Sequence, residues 1–298
     1  MIQAWIQAFR LRTLPLALSS IGMAGFLVAS KAAFRTDIFL LCIFTTIFLQ
    51  VLSNLANDYG DSIHGADSEK REGPKRAVQL GIISASQMKK AMYLFAVLSF
   101  LSGIYLLYLA PAIQGNGTVV FFLILGCLSI AAAIKYTAGN NPYGYSGLGD
   151  ISVLLFFGFV GVIGTTYLFL GYVEWLFVLP ALSCGFFATA VLNVNNIRDI
   201  ESDKEAGKRS IPVRIGRKNA RIYHWTLLIL GISCSLVFTF LTAEKLSQWL
   251  FLITIPLFIR NGLAISKFQT AQELDPFLKQ MAISTLFFVL LFGLSILM

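Results

Sequence analysis

The chain has 298 residues, of which 57% are hydrophobic and 13% charged. A water-soluble domain carries about 25% charged residues, so the composition excludes an ordinary soluble enzyme and leaves no room in the loops for one. The net charge of +8 would point to nucleic acid in a soluble protein; here it reads as loop charge that sets orientation in a membrane, with no nucleic acid involved.

In chain order, nine apolar stretches predict membrane spans at roughly 14–33, 37–57, 90–110, 118–136, 150–171, 174–193, 222–243, 246–264 and 280–298. Each is about the 20 residues that cross a bilayer. The expectation is an all-α, polytopic membrane protein, one domain over 1–298, with about nine transmembrane helices bundled around a central cavity. The first stretch follows Arg10 and Arg12 and precedes Ser30-Lys31-Ala32, the layout of a secretory leader. A multi-spanning chain commonly keeps such a segment as its first span, and it is read so here. Trp5 and Phe9 suit an interfacial lead-in, with Arg10 and Arg12 at headgroup level.

With the amino terminus in the cytoplasm, only Lys31, Arg35 and Lys245 of the 23 basic residues fall on the outer side. That bias fixes the orientation and puts the loops at about 58–89, 136–149 and 194–221 in the cytoplasm. The cysteines, Cys42, Cys127, Cys184 and Cys234, all lie in apolar segments without metal-ligand spacing and read as small core residues.

The second span ends in Asn54-Leu-Ala-Asn57-Asp58-Tyr-Gly-Asp61. If the helix continues, Asn54 and Asp58 are four apart, Asn57 and Asp61 are four apart, and Asp58 and Asp61 three apart, on neighbouring parts of one face. Carboxylates that face each other repel unless a cation lies between them. Hard oxygen ligands at that spacing suit Mg²⁺, which commonly bridges to substrate phosphates. The loop from Ser62 to Lys90 follows, with Asp67, Lys75 and Arg76. Ser84-Ala-Ser86-Gln87 starts a helix into the third span. His64 reads as solvent-exposed and His224 as interfacial.

After the fourth span come Lys135 and Tyr136, then the glycine- and tyrosine-rich Gly139 to Asp150, which includes Tyr143 and Tyr145. Such a loop can line a pocket with backbone amides and aromatic faces, and Lys135 at a helix end needs a partner. The sixth span leads into a second polar stretch: Asn193, Asn195, Asn196, Arg198, Asp199, Asp203, then Gly207-Lys208-Arg209. Asp199 and Asp203 are again four apart. The last three spans carry almost no polar residues and read as scaffold.

Two acid-amide clusters at one membrane face, each followed by Lys and Arg, can hold two Mg²⁺ ions and a diphosphate. The apolar interior offers a slot for a long hydrocarbon. The competing class is a secondary transporter, but those carry acids near the bilayer midplane, whereas here they sit at helix ends.

Asn57-Asp58-x-x-Asp61 and Asp199-x-x-x-Asp203 resemble the two acidic motifs of the UbiA-type intramembrane prenyltransferases. The first motif's last acid is Gly65 here, with Asp67 two residues on. Arg12-Thr-Leu-Pro15, Asn54 to Asp61, Tyr143 to Asp150, Asn195 to Asp199 and Gly207-Lys-Arg209 resemble that family's 1,4-dihydroxy-2-naphthoate polyprenyltransferase branch. The resemblance implies a bacterial inner-membrane enzyme that joins polyprenyl diphosphate to 1,4-dihydroxy-2-naphthoate, using Mg²⁺, with loss of carbon dioxide and diphosphate. It assigns Asn57, Asp58, Asp61, Asp199 and Asp203 to the metal, with Asp61 and Asp199 essential to turnover. It assigns Arg76, Lys135, Arg198, Lys208 and Arg209 to the diphosphate. Arg12, Asn54, Tyr136 and Tyr145 go to the acceptor or prenyl pocket. A different aromatic acceptor, such as 4-hydroxybenzoate or homogentisate, is the nearest alternative.

Overall fold

The computed structural model describes residues 1–64 and 77–298, apart from the side chain of Arg12. Gly65, Asp67 and Arg76 therefore lie outside the described residues. No β-strand occurs among those described.

The chain opens with α1 (Ile2–Phe9), an amphipathic helix closed by Arg10 in left-handed geometry (φ 49°). It bends into α2 (Leu14–Ala29), where Pro15 occupies the first turn, a position that tolerates its missing N–H. Eight helices among the described residues are long and apolar enough to cross a membrane, and the bent α1–α2 pair makes up to nine. After α1 and α2 they are α3 (Thr36–Ile63), α4 (Ala85–Leu109), α5 (Asn116–Lys135), α6 (Gly149–Leu170) and α7 (Trp175–Arg198). A short α8 (Ile200–Glu205) precedes α9 (Ile211–Thr242), α10 (Leu246–Lys267) and α11 (Ala271–Leu297).

The element bounds differ from the expected ones where local chemistry extends a helix. Ser84 caps α4 and Gln87 reaches back to it, so the third span begins five residues early. The seventh span begins at Ile211 because a second helical segment is joined to it across Gly216, whose φ of 77° breaks the turn. Within α6, residues Leu154–Gly164 adopt π-helical geometry, a form otherwise found mostly as single turns at functional places.

Helix α7 is the most buried span and forms the centre of the largest core. Phe187 on α7 stacks on Phe258 of α10 at 4.3 Å and meets Phe288 of α11 edge-on at 5.0 Å. A second core joins α1, α3, α4 and α5 through Ala8, Leu52, Leu55 and Met88. The exposed apolar side chains, such as Phe121, Leu128 and Phe240, suit a hydrocarbon environment.

The last spans are not a bare scaffold. His224 is fully buried rather than interfacial, 2.9 Å from Asn261 Oδ1. Asn261 in turn donates to the Phe277 carbonyl at 2.9 Å. His224 and Asn261 pair with each other because the apolar bundle around them offers few other partners.

Candidate active site

Helix α3 does continue past its apolar run, to Ile63, so the first acidic stretch lies on one helical surface as its spacing requires. The second stretch spans the α7–α8 junction, where Asp199 ends one helix and precedes the next. The two stretches meet at the head of a cavity of about 410 Å³. Asn54, Asn57, Asp61, Tyr136, Asp199, Asp203 and Lys208 all line it. Elsewhere its wall includes the apolar Phe156, Val160, Gly161 and Gly164 from the π-helical part of α6 and Gly126 from α5.

Each polar group at the head has a defined partner. Asp61 Oδ1 accepts the Tyr145 hydroxyl at 2.8 Å. Lys208 Nζ lies 3.3 Å from Asp61 and 3.3 Å from Asp203, and 5.0 Å from the centre of the Tyr145 ring. Asn57 Oδ1 lies 2.9 Å from the Thr137 hydroxyl, which is also 3.0 Å from the Ala56 carbonyl. Asn54 donates to the Phe9 carbonyl at 2.9 Å and to Thr137's counterpart on the other flank, Thr13, at 3.2 Å. Asn54 thus ties α3 to the α1–α2 elbow as well as facing the cavity. Burial pushes the Asp203 carboxyl up to about 6; Lys208 opposes this, while the charges of Asp199 and Asp61 add to it. Burial also holds the Tyr136 phenol well above its ordinary range, with the charge of Asp150 the next cause.

Several expected members lie off the cavity wall. Arg198 is only 4% exposed and does not line the cavity. Its Nε and Nη2 each bond Asp199 at 2.7 Å, and Nη1 bonds Asp275 of α11 at 2.6 Å. A buried guanidinium needs compensating carboxylates, and here Asp199 and Asp275 supply them. Asp58 is buried against Arg10 and is absent from the cavity wall. Lys135 is exposed and off the cavity. Arg209 is exposed, its backbone N–H bonding the Tyr145 carbonyl at 2.9 Å; its side chain lines an outer cleft with Arg214 and His64. Tyr145 borders that cleft and reaches the site through its hydroxyl on Asp61 and its ring under Lys208.

The site also has members that sequence reading passed over. Arg10 and Thr13 line the cavity from the α1–α2 elbow, and Asp150 lines it from the start of α6. Asp150 closes a glycine-rich loop, and an acid just inside an apolar span is the signal that marks it.

Among the described residues no three carboxylates gather closely enough to hold an ion by themselves. The donor set nonetheless fits Mg²⁺, which takes one or two carboxylates and completes its octahedron with water and substrate phosphate. Asp61, Asp203, Asp199 and Asn57 supply such oxygens, and the Lys208 ammonium already marks where positive charge is stable between two of them.

This is the architecture of a multi-pass membrane protein whose internal cavity has a charged head and an apolar body. The chain belongs to the UbiA prenyltransferase family, which matches residues 18–296. It is 44% identical to the 1,4-dihydroxy-2-naphthoate octaprenyltransferase of Haemophilus influenzae, over 99% of this chain and 96% of the relative. It is equally 44% identical to the protein of that name from Escherichia coli, over 99% and 95%. The Mycobacterium tuberculosis protein of that name is 31% identical over 96% and 94%. The fold is similar to that of a UbiA homolog from Aeropyrum pernix K1, with a TM-score of 0.68 at 16% identity over 96% of each chain. It is also similar to a UbiA homolog from Archaeoglobus fulgidus bound to GPP and Mg²⁺, with a TM-score of 0.60 at 18% identity over 98% and 100%. Family membership sets aside the transporter reading.

Proposed function

We propose that this chain transfers a polyprenyl group from polyprenyl diphosphate to 1,4-dihydroxy-2-naphthoate, with loss of carbon dioxide and diphosphate, to give demethylmenaquinol. The observation that carries this is the 44% identity to octaprenyltransferases of that name across nearly the whole chain. The geometry agrees: charged groups crowd one end of a cavity whose remaining walls suit hydrocarbon. The excess of basic residues in the loops on the side of the acidic stretches supports an orientation with that end in the cytoplasm of a bacterial cell.

Asp61, Asp203, Asp199 and Asn57 would hold Mg²⁺, which when bound neutralises the charge that builds on the departing diphosphate. Lys208 lies within reach of the same charge and binds it as a point cation. Arg198 fixes Asp199 in one orientation from behind. The apolar wall excludes water from the allylic carbon, so a carbocationic centre meets the acceptor rather than solvent. The neutral Tyr136 presents an aromatic ring at the cavity wall that stabilises positive charge.

The test uses purified protein in lipid, a radiolabelled polyprenyl diphosphate, 1,4-dihydroxy-2-naphthoate, and either Mg²⁺ or EDTA. A Mg²⁺-dependent lipid product with release of carbon dioxide supports the reading. Product with 4-hydroxybenzoate but none with the naphthoate would keep the fold and head-group site and replace the acceptor.

A further inference from the structure

Asp150 lines the same cavity as Asp61 and Asp203 but belongs to neither acidic stretch. It is 5% exposed, in the first turn of α6. Tyr223 of α9 donates its hydroxyl to Asp150 Oδ1 at 3.1 Å, and it is the only side chain among the described residues that bonds this carboxylate. The Thr189 hydroxyl of α7 contacts only the backbone carbonyl, at 3.5 Å. The titratable groups facing Asp150 are Tyr223 from α9 and Tyr136 from the end of α5; the Tyr143 hydroxyl turns to Ser152 and the Ala132 carbonyl. No Lys, Arg or His among the described residues pairs with it.

Tyr136 stands directly over this acid's helix. A Cβ on Gly149 would lie 2.9 Å from the Tyr136 hydroxyl. Glycine there lets the phenol settle against the start of α6. Asp150 weighs more on the Tyr136 phenol than do Asp203 and Asp61. The cavity therefore has two acidic poles with Tyr136 between them: one with Lys208, and one with phenols alone. A buried acid without a cation is costly, and its place inside a membrane cavity marks it as functional.

We propose that Asp150 is the general base for the aromatic acceptor, and that Tyr223 is its positioning residue. The proposal rests on the acceptor reading given above. The bond from the prenyl carbon to oxygen breaks, and its electron pair leaves with the diphosphate. The acceptor ring carbon that bears the carboxylate forms the new carbon–carbon bond, while Asp150 takes the proton of a ring hydroxyl and so enriches the ring in electrons. The bond to the carboxylate then breaks, carbon dioxide departs, and that bond's electron pair restores the aromatic ring. Asp150 returns its proton to the ring oxygen, so both hydroxyls are present in the product.

The experiment compares the full-length parent, Asp150→Asn and Tyr223→Phe in lipid nanodiscs. Asp150→Asn keeps the shape of the side chain, and Mg²⁺-dependent binding of radiolabelled donor reports that the site is folded. The expected result is a fall in turnover of about 10²–10⁴-fold, donor binding within twofold of parent, and partial recovery as pH rises and the acceptor ionises unaided. Tyr223→Phe shifts the acid limb of the kcat/KM profile and leaves donor binding intact. Turnover of Asp150→Asn within threefold of parent across the pH range would overturn the base role. So would a loss of turnover that tracks a loss of donor binding. The acceptor reading fails separately, if the parent is inactive with 1,4-dihydroxy-2-naphthoate yet active with another phenolic acid; the same variants are then compared on that acid.

Discussion

Lys208 stands between Asp61 and Asp203, 3.3 Å from a carboxylate oxygen of each, and so joins the end of α3 to α8 by one ammonium group. Two acids from distant parts of the chain are held close by the cation that a metal and diphosphate would displace. Replacement by methionine keeps the length of the side chain and removes the charge. The variant Lys208→Met should bind Mg²⁺ alone more tightly, because no ammonium competes for the two carboxylates. It should bind donor more weakly, by about 10–100-fold, since a hydrogen bond to a charged group contributes about 1.5–3 kcal/mol. Metal titration and equilibrium binding of labelled donor separate the two effects. Tighter donor binding in the variant would remove Lys208 from the diphosphate site.

The Asp203 carboxyl, pushed up to about 6, gives the site a pH dependence. Its ionised form is the ligand, so Mg²⁺ affinity should rise with pH up to about 6 and level off above it. Metal binding below that pH should release a proton. For folding of the metal-free protein the sign is opposite. Burial disfavours the Asp203 anion by more than Lys208 favours it, so stability falls as pH climbs from the ordinary carboxylate range through 6. Calorimetry in two buffers of different ionisation enthalpy measures the proton release. Asp203→Asn should abolish it.

Gly60 lies on α3 where Thr137 crosses. A Cβ at Gly60 would overlap the Thr137 carbonyl, which is backbone and cannot rotate away. Gly60→Ala should therefore destabilise the protein by about 1–3 kcal/mol, the usual cost of overpacking. It should also pull Thr137 off Asn57 and lower turnover beyond what the change in thermal midpoint explains. A thermal unfolding scan in detergent beside an activity assay at low temperature checks both parts.

Gly103 and Gly126 line the cavity away from its charged head, and an added Cβ at either meets nothing within 4 Å. Leucine there fills space at little strain. Gly126→Leu should raise the KM for long-chain donors several-fold and leave a ten-carbon donor unaffected. Equal effects on both donors would place Gly126 off the path of the tail.

The head-group site was legible where chemistry and helical period coincide. Asn57, Asp61, Asp199 and Asp203, which line one cavity, stood out because oxygen-bearing side chains four apart on a helix have few other reasons to occur together. Lys208 was legible as a cation next to an acid cluster. What sequence spacing could not supply was direction. Arg198 adjoins Asp199, yet it turns inward, because Asp275 waits 77 residues later on α11. Asp58 looked like the neighbour of Asp61, but Arg10, 48 residues earlier, takes it out of the cavity. Such pairs are set by the packing of α1 and α11 against the centre, which no local pattern encodes. Asp150 was passed over for a different reason, since one acid after a glycine-rich loop carries no periodicity, only its place just inside an apolar span. The π-helical stretch of α6 was equally silent, because its sequence is uniformly apolar and serves either geometry.

The bridge formed by Lys208 has a consequence for the lifetime of the protein in the cell. Without donor, α3 and α8 are joined at this point through the Lys208 side chain, set between two buried acids. A bound donor adds its binding free energy to folding, about 2.7 kcal/mol at a hundred times its dissociation constant. Starved molecules are then the looser population, and heat, detergent and quality-control proteases remove them first. Donor binding would thereby couple the lifetime of this protein to the supply of its donor.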